Sequence, residues 1–215
     1  MLPTTLEEIA NYIVADGKGI LAADESTGTI EKRFKSIDVE STEANRKKYR
    51  EMLFRSSAMT EAIGGVILFD ETLRQNAQDG TPLREVILSQ KSLPGIKVDQ
   101  GVQAFNGSDI EKTTKGLDGL DERCEEYDAL GAKFTKWRAV INIGESIPSE
   151  DCINDNMFSL AKYASIAQKN NMVPIVEPEV IMDGSHSIDQ CYDVTKKVLI
   201  KLFELLGKEN VNIKG

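Results

Sequence analysis

Three apolar segments of the sequence each carry two charged residues spaced by two. The pairs are Lys97 with Asp99, Lys136 with Arg138, and Glu177 with Glu179. Because side chains alternate between the faces of a strand, both members of a pair lie on one face. An ionised group is costly to bury without a partner, so these pairs predict cations and carboxylates that meet. With Asp24, they indicate an active-site cluster; the alternative is purely structural ion pairs.

The lysines of this cluster favour carbonyl chemistry. A lysine amine that is desolvated and near other cations loses its proton more readily, which makes it a nucleophile or a base. Lys136 lies two residues from Arg138, and Glu177 is suited to move protons. The alternative, that Lys97 and Lys136 only form salt bridges to nearby carboxylates, is compatible with this interpretation.

A hydroxyl-rich turn follows Asp24 in the stretch ADESTGTIEKRF. It contains the hydroxyls of Ser26, Thr27 and Thr29, and it leads into a possible helix that carries Arg33. Backbone N–H groups at the start of a helix bind phosphate well, although hydroxyls in such turns more often cap the helix. Together with the charged cluster, the turn favours carbonyl chemistry on a sugar phosphate without selecting one reaction.

Composition narrows the expected partners and compartment. The 215-residue chain has a net charge of −9, which disfavours nucleic acid and anionic membranes as partners because both attract basic surfaces. Three scattered cysteines without a Cys-x-x-Cys pair, and His186 as the one histidine, argue against a zinc site. The scattered thiols and the lack of a signal-like or membrane-spanning apolar run lead us to expect a cytoplasmic protein.

Five short apolar or β-branched segments alternate with helical patterns, which predicts a parallel sheet with helical crossovers. The strands are predicted within residues 17–27, 63–72, 93–101, 132–141 and 172–180. Amphipathic helices are predicted within residues 5–17, 113–131, 149–170 and 187–207. Capping boxes are predicted for Thr5 with Glu8 and for Ser187 with Gln190. The last helix has a predicted apolar stripe of Cys191, Val194, Val198, Leu202 and Leu205 and a predicted end at Gly207.

An open doubly wound sheet and a (β/α)8 barrel both fit this alternation. The charges favour the barrel, because one face of each barrel strand points into the lumen and active sites lie at the C-terminal ends of the strands. The five segments begin 30 to 46 residues apart, and eight such units need about 300 residues. We therefore expect an α/β fold, an incomplete (β/α)8 barrel with about five of eight units, as a single domain over residues 1–215.

Seven stretches of the sequence match, in order, the motifs of one enzyme family. They are GKGILAADESTGTIEKRF, EANRKKYRE, GGVILFDETL, GIKVDQGV, GLDGLDERCEEY, GAKFTKWRAVI and YASIAQKNNMVPIVEPEV. Over nearly its whole length the chain closely resembles class I fructose-bisphosphate aldolase of the glycolytic type. The resemblance implies a (β/α)8 barrel, a homotetramer and no metal or other cofactor. It also implies reversible cleavage of fructose 1,6-bisphosphate to dihydroxyacetone phosphate and glyceraldehyde 3-phosphate through a lysine Schiff base.

The resemblance also implies a role for each matching residue near the reacting carbons. Asp24 resembles the residue that holds and deprotonates the C4 hydroxyl, and Glu177 resembles the main acid/base residue of Schiff-base formation and turnover. Lys136 resembles the lysine that contacts the substrate hydroxyls, and Glu179 resembles the carboxylate that positions the amines.

Further matching residues resemble ligands of the substrate phosphates. Ser26, Thr29, Lys97 and Arg138 resemble ligands of one phosphate. Arg33 and Arg46 resemble arginines near the other phosphate or on the substrate path. Thr29 stands where many members of the family carry serine, so the hydroxyl is kept.

One departure from the family concerns the covalent catalyst. The family carries its Schiff-base lysine in an EGTLLKPN-like stretch, which does not occur in this sequence, and Lys214 in NIKG does not match it. We therefore expect the 215-residue chain alone to be inactive. One alternative is Schiff-base chemistry on Lys136, as in transaldolase-like enzymes. Another is a truncated, non-catalytic paralogue that acts as a binding or scaffolding protein.

Overall fold

The computed structural model describes residues 2–215, which form seven strands and nine α-helices. The strands are β1 (Gly19–Ala23), β2 (Ile63–Leu68), β3 (Leu93–Lys97), β4 (Val102–Ala104), β5 (Lys112–Thr114), β6 (Phe134–Ile141) and β7 (Val173–Val180). The helices are α1 (Leu6–Ile13), α2 (Thr27–Lys35), α3 (Glu43–Phe54), α4 (Ala58–Ala62), α5 (Asp70–Arg74), α6 (Leu83–Ser89), α7 (Leu120–Ala129), α8 (Glu150–Lys169) and α9 (Ile188–Lys208).

Five of the strands form one sheet in the order β1-β2-β3-β6-β7. Strand β2 is parallel to both neighbours, with Leu68 opposite Ala23 on one side and opposite Ile96 on the other. Helices lie between successive strands of this sheet, as parallel connections require. The five predicted strands are therefore confirmed.

The chain segment that connects β3 to β6 contains a short antiparallel hairpin, β4 and β5, which forms a separate two-stranded sheet. It was not predicted from the sequence. Each strand has three residues, too few for an alternating pattern to stand out. Gly101 and Gly107 adopt positive φ angles of 81° and 77°, which suits the turns around the hairpin.

The chain divides into two compact units. The first comprises the residues up to Lys97, together with Glu126–Thr135 and Gly215, and the second comprises Val98–Glu125 and Lys136–Lys214. The expectation of a single domain over residues 1–215 stays a prediction.

The core of the first unit depends on glycines that make room for an aromatic ring. A Cβ atom on Gly65 of β2 would lie 2.8 Å from the ring of Phe134, and one on Gly95 of β3 would come closer still. Phe134 is fully buried. Any larger residue at either glycine would displace this ring, so the two glycines fix the packing of the sheet at this point.

Strand β6 is the clearest case of alternating faces in the second unit. Trp137 is fully buried and stacks on Tyr163 of α8, with ring centroids 5.4 Å apart. Ala139 and Ile141 are buried as well, whereas Lys136 and Arg138 between them are only half-buried. Trp137 therefore faces helix α8, and the two cations occupy the opposite face of the strand.

The predicted capping boxes at the starts of α1 and α9 are both present. In α1 the Thr5 hydroxyl accepts from the Glu8 N–H, and in α9 the Ser187 hydroxyl accepts from the Gln190 N–H. The glutamate and glutamine side chains accept from the capping residues' own N–H groups in return.

The other end and the buried stripe of α9 differ from the prediction. The helix continues past Gly207 to Lys208. Val198 and Leu202 are buried as predicted, but Leu206 rather than Leu205 completes the stripe. Residues spaced by four lie in one row along a helix, so the buried face follows that row.

A second face of α9 is apolar and exposed. Its large side chains are Ile188, Tyr192, Leu199, Ile200 and Phe203. A helix that is apolar on more than one face is usually covered on both, and an exposed apolar face of this kind promotes association. Within residues 2–215 no helix combines the length and the low polarity needed to cross a bilayer.

We predict that the double substitution Ile200→Lys and Phe203→Lys lowers the binding of the dye ANS and the self-association of the chain. Both side chains are more than half exposed, so the change removes apolar surface without disturbing the core. Dye fluorescence and light scattering measure the two effects. Ile37→Lys, at an exposed site in a turn, is the control. Equal dye binding by the unmodified chain, the double variant and Ile37→Lys would contradict the prediction.

Candidate active site

Strands β6 and β7 carry two cross-strand pairs of opposite charge in the second unit. The Lys136 Nζ atom lies 3.2 Å from Glu177 Oε2. The Arg138 Nε–H donates to Glu179 Oε2. The pairs advance in step along the two strands, two residues on each, as expected for adjacent parallel strands. The predicted charge pairing is therefore present here.

The two side chains of the Lys136–Glu177 pair differ in their exposure to solvent. The Lys136 side chain is 12% exposed and the Glu177 side chain 37% exposed. The Lys136 side chain is therefore mostly buried, whereas the Glu177 side chain is accessible to solvent. This arrangement suits a carboxylate that exchanges protons next to a cation held in place.

Arg138 is a firmly held cation. The hydrogen bond that it donates to Glu179 raises its pKa, and the nearby charges of Glu177 and Asp99 act in the same direction against the opposing effect of burial. The guanidinium therefore keeps its positive charge at neutral pH, which suits recognition of a phosphate or a carboxylate.

The segment that carries Asp99 is held by Arg123, a residue that was not selected from the sequence. Arg123 Nη1 donates to the carbonyl oxygen of Val98 at 2.9 Å, and Nη2 donates to that of Gly116. Asp99 Oδ1 in turn accepts from the N–H of Gly101 at 3.2 Å. Two backbone segments are therefore fixed on one guanidinium next to Asp99.

The hydroxyl-rich turn lies in the first unit, where Asp24 follows β1 directly. Ser26 is the N-cap residue of α2, yet its side chain makes no capping hydrogen bond. Its Oγ atom instead lies 3.1 Å from the Thr29 Oγ1 atom. The alternative that these hydroxyls only cap the helix is therefore wrong for Ser26, and the pair presents two hydroxyls beside the helix start.

The two arginines assigned to the substrate by resemblance contact carboxylates in the first unit. Arg33 forms an ion pair with Glu25. Arg46 donates to Glu71 Oε1 through Nε at 3.0 Å and to Oε2 through Nη2 at 2.6 Å, and this bonding raises its pKa. Lys97 ends β3 and is half-buried. The convergence of these groups with Lys136 and Glu177 stays a prediction.

Sequence reasoning missed the buried ion cluster of Glu25, Arg50 and Glu71. Arg50 is fully buried, and its guanidinium lies 3.9 Å from Glu25 Oε2 and 4.0 Å from Glu71 Oε1. A usable signal was present in α3, because Arg46, Arg50 and Phe54 recur every four residues and therefore share one face.

None of the three cysteines belongs to a candidate metal site within residues 2–215. Cys124 and Cys152 are buried, and burial raises the pKa of each thiol to about 11, so both behave as small apolar side chains. Cys191 is half-buried. Residues 2–215 contain no group of three or more His, Cys, Asp or Glu side chains arranged to hold a metal ion. The expectation that no cofactor is needed stays a prediction.

Comparison with known proteins bears on this geometry. The family model "Fructose-bisphosphate aldolase class-I" matches residues 5–215. A "Probable fructose-bisphosphate aldolase class 1" of Xanthomonas axonopodis pv. citri is 53% identical over 210 residues, which is 98% of this chain and 63% of the relative. "Fructose-bisphosphate aldolase 6, cytosolic" of Arabidopsis thaliana is 51% identical over 211 residues, which is 97% of this chain and 59% of the relative.

A solved structure agrees with the sequence relatives. It is the fructose-bisphosphate aldolase of Plasmodium falciparum, crystallised with TRAP and a small-molecule inhibitor. It superposes with a TM-score of 0.94 at 46% identity and covers 97% of this chain and 61% of that one. The fold is thus an α/β fold, an incomplete (β/α)8 barrel. The chain belongs to the class I fructose-bisphosphate aldolase family, and it spans about three fifths of the length of these relatives.

We predict a favourable coupling between Lys136 and Glu177 on the order of 1 kcal/mol in a double-mutant cycle, because the Lys136 side chain is mostly buried. Urea unfolding of Lys136→Met, Glu177→Gln and the double variant measures it. The exposed pair of Lys208 with Glu204 on α9 is the control and should couple more weakly. Equal coupling in the two pairs would show that burial of the amine does not strengthen its contact with Glu177.

Proposed function

We propose that this chain provides the substrate-binding and acid/base part of a class I fructose-bisphosphate aldolase. The reaction is the reversible cleavage of fructose 1,6-bisphosphate to dihydroxyacetone phosphate and glyceraldehyde 3-phosphate. The observation that carries the proposal is the contact between Lys136 and Glu177 on neighbouring strands of a chain of this family. A proton-exchanging carboxylate beside a fixed cation is what imine formation and turnover require.

Four residues have proposed roles at the reacting carbons. Asp24 holds and deprotonates the C4 hydroxyl of the sugar. Glu177 moves protons during Schiff-base formation and turnover, and Lys136 contacts the substrate hydroxyls. Glu179 positions the neighbouring cations, a role that its hydrogen bond with Arg138 supports.

The other selected residues are proposed ligands of the two phosphates. Ser26, Thr29, Lys97 and Arg138 bind one phosphate, and the adjacent hydroxyls of Ser26 and Thr29 support this role. Arg33 and Arg46 lie near the other phosphate or on the path of the substrate. In this structure both arginines contact carboxylates, which a phosphate would have to replace.

The covalent step needs a lysine that this sequence does not supply in the family's form. The EGTLLKPN-like stretch does not occur among the 215 residues, and the Lys136 amine forms an ion pair with Glu177. We therefore propose that the 215-residue chain alone does not cleave the sugar. A non-catalytic paralogue that serves as a binding or scaffolding protein is the second candidate function.

We further propose that the whole protein is a cytoplasmic homotetramer that binds neither nucleic acid nor membranes. The cytosolic relative of Arabidopsis thaliana supports the compartment. The net charge of −9 supports the lack of nucleic-acid binding, because a phosphate backbone is bound by basic surfaces.

Imine trapping tests the proposed function. Dihydroxyacetone phosphate and borohydride are added to the 215-residue chain and to a fusion that adds the remaining part of the Xanthomonas relative. Peptide mass spectrometry then locates any reduced adduct. We expect no specific adduct on the 215-residue chain and one labelled lysine in the added part of the fusion.

The alternatives give different results in the same experiment. Stoichiometric labelling of Lys136 in the 215-residue chain would contradict the proposal and favour the transaldolase-like mechanism. No labelling in either protein would favour the non-catalytic paralogue. The Lys136→Met variant of the fusion is the control. The adduct should stay on the same lysine of the added part but form more slowly, because Lys136 is a proposed contact of the substrate hydroxyls.

A further inference from the structure

Arg50 is an unusual residue because its whole side chain is buried. It belongs to α3, and it is 0% exposed. Burial lowers the pKa of its guanidinium, while the charges of Glu25 and Glu71 act against that effect. Removing a guanidinium from water is costly unless it is paired and hydrogen-bonded, so its contacts indicate what it is buried for.

The contacts of Arg50 connect two segments of the first unit. Nη2 donates to the backbone carbonyl oxygen of Glu25 at 2.6 Å, and Nη1 donates to the Thr72 Oγ1 atom on α5 at 2.7 Å. The guanidinium also lies over the ring of Phe69, 5.8 Å from its centroid. Thr72 is itself fully buried, so one end of the guanidinium is anchored in the core and the other holds a backbone carbonyl.

The carbonyl that Arg50 holds is in the hydroxyl-rich turn. Glu25 lies between Asp24 and Ser26, where β1 ends and α2 is about to begin. The Ser26 side chain does not cap α2, so the turn lacks the hydrogen bond that usually fixes such a helix start. The bond from Arg50 and the ion pair between Arg33 and Glu25 take over that task from outside the turn.

We propose that Arg50 is the positioning residue that sets the turn from Asp24 to Thr29 for phosphate binding. The inference rests on the proposed function, because it takes the Ser26 and Thr29 hydroxyls as phosphate ligands. Arg50 acts through the Glu25 backbone and does not touch the phosphate. Its two directed hydrogen bonds need the planar fork of a guanidinium, which a lysine ammonium does not reproduce.

Titration with inorganic phosphate tests the inference on the full 215-residue chain. In the 15N-labelled protein, the amide signals of Gly28 and Thr29 report binding at the start of α2. We expect Arg50→Lys to raise the phosphate Kd at least tenfold, while the amide signals of residues away from Arg50 and the turn stay in place. If Arg50 only stabilised the fold, Arg50→Lys would lower the free energy of unfolding and leave the phosphate Kd of the folded protein unchanged.

The matched control is Arg55→Lys. Arg55 is the C-cap residue of α3, is 43% exposed and is paired with Glu51 and Asp79. It should bind phosphate like the unmodified chain. If Arg50→Lys does not fold, Thr72→Val removes the anchoring hydroxyl instead and should weaken binding in the same direction, whereas Thr72→Ser should restore it.

The possible failures are distinguishable. If the unmodified chain binds phosphate and Arg50→Lys, or Thr72→Val in its place, binds it equally well, the positioning role is wrong and the proposed phosphate ligands stand. If phosphate does not shift Gly28 and Thr29 in the unmodified chain, the proposed ligands are wrong and the role of Arg50 is overturned with them.

Discussion

The contact between Lys136 and Glu177 is the interaction on which the proposed chemistry of this chain depends. A lysine in the middle of a strand whose alternate residues are buried has to lose most of its hydration. The carboxylate on β7 offsets that loss. Arg138 and Glu179 form a second ion pair two residues further along the same two strands. The alternation of side chains along the strands therefore places the two ion pairs in one row on one face of the sheet.

The first unit also contains a buried cation, and its partners there are of more kinds. There the buried guanidinium of Arg50 is matched by Glu25 and Glu71 and by hydrogen bonds to a carbonyl and a hydroxyl. A buried ion pair contributes little to stability on balance, because desolvation offsets most of the attraction. The arrangement is better explained by the geometry that it imposes on the turn after β1 than by the stability that it adds.

Local rules predicted much of this structure from the sequence. The two-residue spacing and the cost of an unpaired charge were enough to predict the pairs on β6 and β7, and the capping residues located the starts of α1 and α9. The packing of Phe134 against Gly65 and Gly95 could not be predicted from the sequence, because it depends on which strands become neighbours. Arg50 was missed for a similar reason, since its partners lie 22 and 25 residues away in the sequence.

The most direct test of the account is to observe the Lys136 amine itself. In protein labelled with 15N at the lysine side chains, the Nζ signal of Lys136 can be assigned from its loss in Lys136→Met. The account predicts that Glu177→Gln shifts this signal strongly and that Glu204→Gln, at an exposed pair on α9, leaves it in place. A Lys136 signal that does not respond to Glu177→Gln would contradict the central claim that these two strands hold their charges as a pair.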